Sequence, residues 1–411
     1  MKKVLIIGAG AQGGPCALIL ARDKGVSEIV LGDIDLGLVN KVKEKIRSDK
    51  ITGVKLDAGK IEDIERAARG VDVIINLTLI RFNLNIMKAA LKGGMHYVDA
   101  ASGEPIWTQL TENRPLELDT EFKEAGLTAL IACGGAPGIT NVLTRYICDK
   151  LDHVDEIHVR VGDKLLEKPE GVVRTWEPTW CPEVALTDYA DEPPVFEDGE
   201  YKVYPPFSGC EEYNFPDPVG SLLVCHHAHE EAVTLPRFIG KGIKYCDFKY
   251  PIDPAAGSFV KMGFASTEPI EVKGVEVVPM DVLMRLVKHP IDTFLIENED
   301  TAKLSPKSAH PYVVEIKGRK SGEDVKYKIW WPYSLFTNAE ERLELYRKFG
   351  TAKIAVALPA IIGAKMCMEG DTKKGVIAPE CLDPVKFLKV MAEVGWPMKF
   401  HEACLKEVSI S

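Results

Sequence analysis

A glycine-rich segment that could hold phosphate groups follows directly on an apolar run near residue 8. Residues 4–13 read Val-Leu-Ile-Ile-Gly-Ala-Gly-Ala-Gln-Gly, which is the pattern G-x-G-x-x-G behind a short strand. In such a loop Gly8 permits a tight turn, Gly10 lets a pyrophosphate approach the backbone, and Gly13 allows a helix to pack closely on the strand. A helix predicted over Pro15–Asp23 directs the positive end of its dipole at those phosphates. The segment predicts a dinucleotide-binding loop, the alternative being a domain of this type that has lost its nucleotide.

A carboxylate stands where the adenosine ribose of such a dinucleotide would lie. Asp33 is twenty residues beyond Gly13, at the end of the second predicted strand, and no arginine occurs in the next ten residues. Since a carboxylate accepts hydrogen bonds from ribose hydroxyls and repels a 2′-phosphate, we expect NAD in preference to NADP. Asn76, at the end of the fourth predicted strand, is expected to lie along the dinucleotide, or else to be a turn residue that binds its own backbone. The expected cofactor contacts are Gly8, Gly10, Ala11, Gln12, Gly13, Asp33, Ile34, Asn76, Leu77 and Thr78.

The second concentration of reactive side chains is the segment His-His-Ala-His-Glu-Glu at residues 226–231. In an extended segment His227, His229 and Glu231 share one face. A histidine that titrates at about pH 6 to 7 is suited to proton transfer, so we predict that His229 and Glu231 are catalytic. The alternatives are a solvated strand edge and a metal site, but the ligand spacing is not typical of one and no metal is predicted.

Further candidates follow other predicted strands or lie in later loops. Tyr97 and Asp99 end the fifth predicted strand and could face a nicotinamide as catalytic residues, or could be a buried tyrosine and a helix N-cap. Arg81 and Arg174 are candidates for holding a substrate carboxylate through paired hydrogen bonds. Trp180 could form a wall of the substrate pocket, or could pack only against its own loop.

Strand and helix signals alternate from residue 4 to about residue 150, which indicates a parallel sheet with crossover helices. Two of the intervening helices, Glu62–Arg69 and Asn85–Lys92, are followed by glycines that would end them. We therefore predict an α/β fold with an N-terminal doubly wound Rossmann sheet. Its six strands are predicted at Val4–Gly8, Glu28–Asp33, Val54–Asp57, Val71–Leu77, Tyr97–Asp99 and Leu127–Cys133.

The composition of the chain changes after about residue 150, where frequent prolines separate short predicted strands such as Glu156–Val161. Near the end, helices are predicted over Gly350–Met366 and Pro384–Val394, the second with Asp383 as its N-cap and Gly395 after it. These helices are expected to pack back on the first domain. The predicted division is residues 1–140 for the dinucleotide-binding domain, 141–345 for a substrate domain and 346–411 for the returning segment.

Composition limits the possible partners and the cellular setting. The 411 residues carry a formal net charge of −10, which disfavours nucleic acid or an anionic membrane as the main partner. The ten cysteines include no Cys-x-x-Cys pair, so we expect reduced thiols in a cytoplasm rather than a disulfide framework or a zinc site. The longest apolar stretch, 354–364, is shorter than the roughly 20 residues that cross a bilayer.

Several segments in this order resemble the saccharopine dehydrogenase-like family, and in particular its lysine 6-dehydrogenase branch. The resemblance extends over nearly the whole chain. The segments that carry it are the glycine motif, Gly32-Asp33-Ile34-Asp35, His96-Tyr97-Val98-Asp99, residues 133–141, Thr179-Trp180-Cys181-Pro182-Glu183, residues 229–236 and Gly375-Val376-Ile377-Ala378-Pro379-Glu380.

The resemblance implies a middle domain of mixed α/β structure for catalysis and dimerisation, a C-terminus that returns to the Rossmann domain, and a homodimer. It also implies NAD-dependent redox chemistry at a carbon bearing nitrogen, with lysine as the first candidate substrate. Alternatives are an opine-type or saccharopine-type reductase that condenses an amine with a carbonyl compound, and an NAD(H)-binding protein without turnover. Saccharopine reductases usually have an aspartate where this chain has Ala136, which argues against saccharopine itself as the substrate.

Overall fold

The computed structural model describes residues 1–103, 106–112, 114–166, 176–178, 180–290, 293–304, 308–331 and 339–406. Its strands are β1 (Lys2–Ile7), β2 (Val26–Asp33), β3 (Ile51–Lys55), β4 (Val73–Asn76), β5 (His96–Asp99), β6 (Thr128–Leu130), β7 (His153–Val161), β8 (Lys164–Leu165), β9 (Pro194–Glu197), β10 (Glu200–Val203), β11 (Glu211–Phe215), β12 (Gly220–His226), β13 (Tyr245–Pro251), β14 (Ile270–Val272), β15 (Val275–Val277), β16 (Ser308–Ala309), β17 (Tyr312–Lys320), β18 (Glu323–Trp331), β19 (Gly375–Ile377) and β20 (His401–Lys406).

Helices connect most of these strands. The α-helices are α1 (Gly13–Arg22), α2 (Leu36–Ile46), α3 (Ile61–Ala67), α4 (Asn83–Gly93), α5 (Ile106–Thr111), α6 (Asp119–Glu124), α7 (Ile139–Cys148), α8 (Pro182–Ala190), α9 (Glu231–Ile239), α10 (Pro254–Lys261), α11 (Pro279–Leu286), α12 (Thr293–Ile296), α13 (Glu299–Leu304), α14 (Ala339–Phe349), α15 (Ala357–Glu369) and α16 (Pro384–Val394). Short 3₁₀ turns cover Ile80–Phe82 and Pro379–Cys381.

The first sheet is parallel and has the order β19-β6-β5-β4-β1-β2-β3 in the described residues. All six predicted strands are confirmed, and the Rossmann-type α/β fold with them. The prediction of six strands was one short, because β19 joins β6 in parallel and pairs Gly375 with Thr128. A buried strand of three residues far along the chain shows no periodicity from which it could be predicted. Its position also confirms that the C-terminal segment returns to the Rossmann sheet.

Of the two predicted C-terminal helices, one begins at the predicted residue and the other begins later in the chain. Helix α16 begins and ends where predicted, and Asp383 Oδ1 accepts hydrogen bonds from the backbone of Val385 and Lys386. Helix α15 begins at Ala357, so the predicted start at Gly350 was wrong. Gly350 has a φ of +75° and donates to the carbonyl of Tyr346, which makes it the end of α14 instead.

The second sheet is mixed and follows the path β10-β9-β13-β7-β17-β18-β20, with the β11–β12 hairpin attached through β13. The central strand β7 is parallel to β13 and antiparallel to β17. Helices α7 and α9 contact this sheet, and one apolar core includes residues from α7, α1 and both sheets. This continuous core fixes the loops that follow the Rossmann strands against the second sheet.

The expectation that every cysteine is a free thiol was wrong, because Cys210 and Cys225 form a disulfide. The register of the β11–β12 hairpin pairs Glu211 with Val224. Cys210 precedes Glu211 and Cys225 follows Val224, so the two cysteines lie opposite each other at the open end of the hairpin. Their Cα atoms are 4.0 Å apart. The pairing depends on strand register, which the cysteine spacing does not reveal.

Among the described helices, α15 is the longest one that is both apolar and buried. In those parts of the chain no helix combines the length and the apolar character that spanning a bilayer requires.

Candidate active site

The glycine loop has the close backbone packing that a pyrophosphate requires. Gly8 has a φ of +100°, and a Cβ atom there would lie 2.7 Å from the carbonyl oxygen of Leu77. A Cβ atom on Gly13 would lie 1.8 Å from the carbonyl oxygen of Gly8. Gln12 precedes α1, and its side-chain oxygen accepts a hydrogen bond from Ala357 at 3.1 Å. The loop and the start of α1 therefore fit the phosphates of a dinucleotide.

The end of β2 fits the adenosine half of the same ligand. Asp33 Oδ2 accepts a hydrogen bond from the backbone of Ala9 at 2.7 Å, and Oδ1 accepts one from Asp35. Ile34 beside it is 64% exposed and offers apolar surface to a base. Lys55 on β3 is paired in register with Asp33, so a cation is also within the neighbourhood of the ribose site.

The fourth strand ends in a buried polar network rather than in free side chains. Asn76 Nδ2 donates to Asn83 at 2.8 Å and to the Tyr97 hydroxyl at 3.0 Å, and its Oδ1 accepts from the backbone of Thr78. This last contact is the turn interaction that was the alternative interpretation of Asn76. Asn76, Leu77 and Thr78 all line the cavity described below.

Tyr97 and Asp99 occupy different positions relative to that cavity. Tyr97 is fully buried, and its hydroxyl donates to Asp99 Oδ2 at 2.9 Å. Asp99 Oδ1 accepts a hydrogen bond from the backbone of Ala132 at 2.6 Å. Burial raises the pKa of Asp99 to about 8, against the hydrogen bonds from Ala132 and Tyr97. Of the two predicted residues, Asp99 lines the cavity and Tyr97 supports it from behind.

A cavity of about 650 Å³ extends from the glycine loop into the second domain. On the Rossmann side its lining comes from the loops after β1, β4, β5 and β6, where the carboxyl ends of parallel strands meet. The opposite side is lined by α8, by the segment after β12, and by residues of β13 and β17. A cofactor on the glycine loop would therefore share this cavity with a small substrate.

The histidine segment faces the cavity but is not extended throughout. Strand β12 ends at His226, and α9 begins at Glu231, so the predicted extended face that included Glu231 was wrong. His227 and His229 line the cavity from the intervening loop. Glu231 is fully buried behind His229, because the start of α9 turns its carboxylate back toward the ring.

Glu231 and Glu230 hold the segment in place through separate contacts. Glu231 Oε2 contacts His229 Nδ1, and its Oε1 accepts a hydrogen bond from the Thr140 hydroxyl at 2.6 Å. Glu230 Oε1 accepts hydrogen bonds from the backbone of Ser102 and Gly103 in the loop after β5. The His229 ring stacks on Phe248 with 3.9 Å between the ring centroids. Since Nδ1 is occupied by Glu231, Nε2 is the nitrogen left to exchange a proton with a ligand.

Nearby carboxylates alter the titration of His229. Burial alone lowers the pKa of His229, but Glu231, Glu230 and Asp188 together raise it to about 9. The expected titration at about pH 6 to 7 takes no account of these carboxylates, which shift the pKa upward. Burial and the charge of His229 lower the pKa of His227, so that ring is neutral. The alternative of a solvated strand edge was also wrong, since His227, Glu230 and Glu231 are all buried.

The same three residues have the composition of a metal site. Ligand atoms of His229, Glu230 and Glu231 lie within 4.8 Å of one another, so the group could hold a metal ion. In this structure the histidine is instead paired directly with the carboxylate of Glu231.

Two of the three predicted substrate-binding residues line the cavity. Arg81 lines the cavity, where Nη1 forms an ion pair with Glu183 at 2.6 Å. Trp180 lines it as well, edge-on to Tyr250. Arg174 lies outside the described residues.

Sequence reasoning missed a set of carboxylates on the opposite wall. We call them the acidic wall, and they are Glu183, Asp188, Asp191 and Glu230. The first three lie on α8 or directly after it. Asp188 and Asp191 are three residues apart, which puts them on one helical face, and this spacing could have identified them in the sequence. Lys353, in the segment before α15, also lines the cavity and was not predicted.

Comparison with known proteins gives relatives of similar length. The chain is 28% identical to carboxyaminopropylagmatine dehydrogenase from Synechocystis, over 98% of each chain. It is 24% identical to carboxynorspermidine synthase from Vibrio cholerae, over 95% of each chain. Among solved structures, the fold is similar to saccharopine dehydrogenase (L-Glu forming) from Saccharomyces cerevisiae, with a TM-score of 0.67, 14% identity, and 98% of this chain and 100% of that chain covered. Homospermidine synthase from Legionella pneumophila in complex with NAD gives a TM-score of 0.66, 14% identity, and coverage of 98% and 91%.

Two family models account for most of the chain. Residues 4–130 match the saccharopine dehydrogenase NADP binding domain, and residues 134–396 match the saccharopine dehydrogenase C-terminal domain. The chain is therefore an oxidoreductase that uses a pyridine nucleotide. The chain belongs to the saccharopine dehydrogenase family.

Proposed function

We propose that the protein is a reductase of the opine type, which joins a cationic amine to a carbonyl compound and reduces the resulting C=N bond with NADH. The observation that carries the proposal is the acidic wall opposite the cofactor loop. Arg81 offsets the charge of Glu183, and burial raises the pKa of Asp188 and of Glu230 against the charge of His229, so a cationic substrate would stabilise the ionised form of these carboxyl groups. Such a wall favours a substrate with further ammonium or guanidinium groups over one with a single amine.

The relatives support this substrate class. The names of the Synechocystis and Vibrio enzymes describe polyamines that bear a carboxyl group. We therefore favour the condensation of a polyamine or agmatine-like amine with an amino-acid semialdehyde over the oxidation of free lysine, which the resemblance first suggested. Beyond its side-chain amine, lysine carries an α-ammonium group that its own α-carboxylate offsets, whereas agmatine or a polyamine carries further cations and no anion.

His229 has the position and charge of a general acid in this reaction. The amine nitrogen adds to the carbonyl carbon and gives a carbinolamine; protonation of its hydroxyl by His229 Nε2 releases water and leaves an iminium ion. When bound, the cofactor supplies the hydride that reduces this carbon. Glu231 keeps His229 protonated and fixes its ring, while Phe248 supports the ring's face. The sum is one aldehyde, one amine, NADH and one proton, giving a secondary amine, water and NAD⁺.

NADH is the proposed cofactor because Asp33 stands at the ribose site. Its carboxylate is anchored by Ala9 and can still accept a hydrogen bond from a ribose hydroxyl. Lys55, in register beside it, is a charge that would favour a 2′-phosphate. The preference for NADH thus requires that the Asp33 carboxylate affect the relative affinity for NADH and NADPH more strongly than the Lys55 ammonium group does.

The reaction predicts a defined product. Purified protein supplied with NADH, agmatine or a triamine, and an amino-acid semialdehyde should form a secondary amine that mass spectrometry identifies as the sum of both substrates minus one oxygen atom. Replacing the polyamine by ammonia or by lysine should reduce the rate. NAD⁺ reduction by lysine, without any condensation product from polyamines, would contradict the proposal.

The His229→Gln variant should lower kcat by about 10²–10⁴-fold and leave the Kd for NADH unchanged. Because the pKa of His229 is raised to about 9, its acid form is present below that pH, and wild-type kcat/KM in the reductive direction should fall as the pH rises through it. The variant should lack this decline. His401→Gln, a change at an exposed histidine, serves as the control and should keep both rate and pH profile. An unchanged rate and profile in His229→Gln would rule out the acid role.

The Asp33→Ala variant should bind NADH about tenfold more weakly, since a hydrogen bond to a charged group contributes roughly 1.5 kcal/mol. NADPH affinity should not fall with it, so the ratio measured by calorimetry shifts toward NADPH. Lys55→Ala is the matched change of opposite sign and should shift the ratio toward NADH. Equal affinities for both cofactors in the wild type would show that the assigned preference is wrong.

A further inference from the structure

Lys353 is a cation inside the cavity that the proposed mechanism does not use. It lies in the turn between α14 and α15, is half-buried, and its backbone N–H donates to the Thr351 hydroxyl. Burial lowers the pKa of its ammonium group, and Glu297 partly counteracts this. Over the described ranges of the chain, no carboxylate oxygen lies within 4.0 Å of Lys353 Nζ.

Among the described residues, the other basic side chains that line the cavity have partners of their own. Arg81 is paired with Glu183 at 2.6 Å, and His229 with Glu231. His310 Nδ1 is 3.3 Å from Asp163. His289 Nε2 is 2.6 Å from the carbonyl oxygen of Met284. A half-buried ammonium group without an ion pair costs free energy, so an anionic ligand that reaches Lys353 gains an interaction the folded chain leaves unmade.

Lys353 and the acidic wall line the cavity from different elements. Lys353 belongs to the segment before α15, whereas three of the four carboxylates lie on α8 or directly after it. Two residues beyond Lys353, the carbonyl oxygen of Ala355 is 3.1 Å from where a Cβ atom of Gly135 would be, in the loop after β6. A ligand that fills the cavity thus meets both the carboxylates of the wall and the ammonium group of Lys353.

We propose that Lys353 binds a carboxylate of the substrate, so that the site selects a carbonyl compound bearing a carboxylate for condensation with a cationic amine. This inference rests on the proposed function and adds the residue that selects the carbonyl partner. Lys353 holds the carboxylate, the acidic wall holds the amine, and His229 lines the same cavity. Arg81 and Arg174 were the sequence candidates for this role, but Arg81 is paired with Glu183 and Arg174 lies outside the described residues.

The test compares two aldehydes that differ only in the carboxylate, an amino-acid semialdehyde and its decarboxylated analogue, with the same polyamine and NADH. The wild type should prefer the carboxylated aldehyde in kcat/KM by about 100-fold or more. Lys353→Ala should reduce this preference to below about tenfold, mainly through a higher KM for the carboxylated aldehyde, and Lys353→Arg should retain most of it. The Kd for NADH should stay the same in each variant, which also shows that the cofactor domain is folded.

Lys288→Ala is the matched control, because Lys288 is a neighbouring lysine that is 54% exposed and lies 3.7 Å from Glu177. It should keep the wild-type preference. If Lys353→Ala weakens NADH binding and leaves the preference intact, Lys353 contacts the phosphates of the cofactor and the proposal is overturned. An unchanged preference with unchanged NADH affinity overturns it as well. If the wild type forms no secondary amine from either aldehyde, the proposed function itself fails, which is a distinct result.

Discussion

The buried carboxylate of Glu231 is the constraint on which the site depends. It is fully buried, and an ionised carboxylate at such a position is costly unless it is paired and hydrogen-bonded. His229 supplies the charge and Thr140 supplies a hydrogen bond at 2.6 Å. Thr140 belongs to α7, the helix that follows β6 of the Rossmann sheet. Glu231 is the first residue of α9, which packs against the second sheet. Satisfying one carboxylate therefore fixes the two sheets relative to each other and places His229 at the cavity.

A second buried carboxylate extends this constraint to the C-terminal segment. Glu380 is fully buried, and Asn141 Nδ2 donates to its Oε2 at 3.0 Å and to the Thr234 hydroxyl at 3.2 Å. Burial raises the pKa of Glu380 to about 7, although hydrogen bonds, including those from Thr234 and Asn141, lower it. The chain that carries Glu380 enters directly from β19, the strand that completes the Rossmann sheet. The returning segment thus supports the neighbours of Glu231 as well as covering the edge of the sheet.

Features governed by local rules could be predicted from the sequence. The glycine loop, Asp33 and the cap of α16 at Asp383 depend on residues a few positions apart, and all are placed as expected. The strand β19 was missed, and the expectation of free thiols was wrong at Cys210 and Cys225, because pairing between separate strands decides both. The raised pKa of His229 was missed for another reason, since the start of α9 turns the nearby carboxylate of Glu231 onto the ring and buries it there. The acidic wall depends equally on where α8 packs. The homodimer and the domain boundaries stay predictions.

The positive charge of His229 decides whether this site can donate a proton, and titration of the ring by nuclear magnetic resonance measures that charge directly. In the wild type, signals assigned to His229 should report a pKa close to 9, held there by the carboxylate of Glu231. In Glu231→Gln, which keeps the shape of the side chain and removes its charge, the pKa of His229 should fall toward or below the ordinary histidine value of about 6.5. A wild-type pKa near 6.5 that does not change in Glu231→Gln would contradict the account.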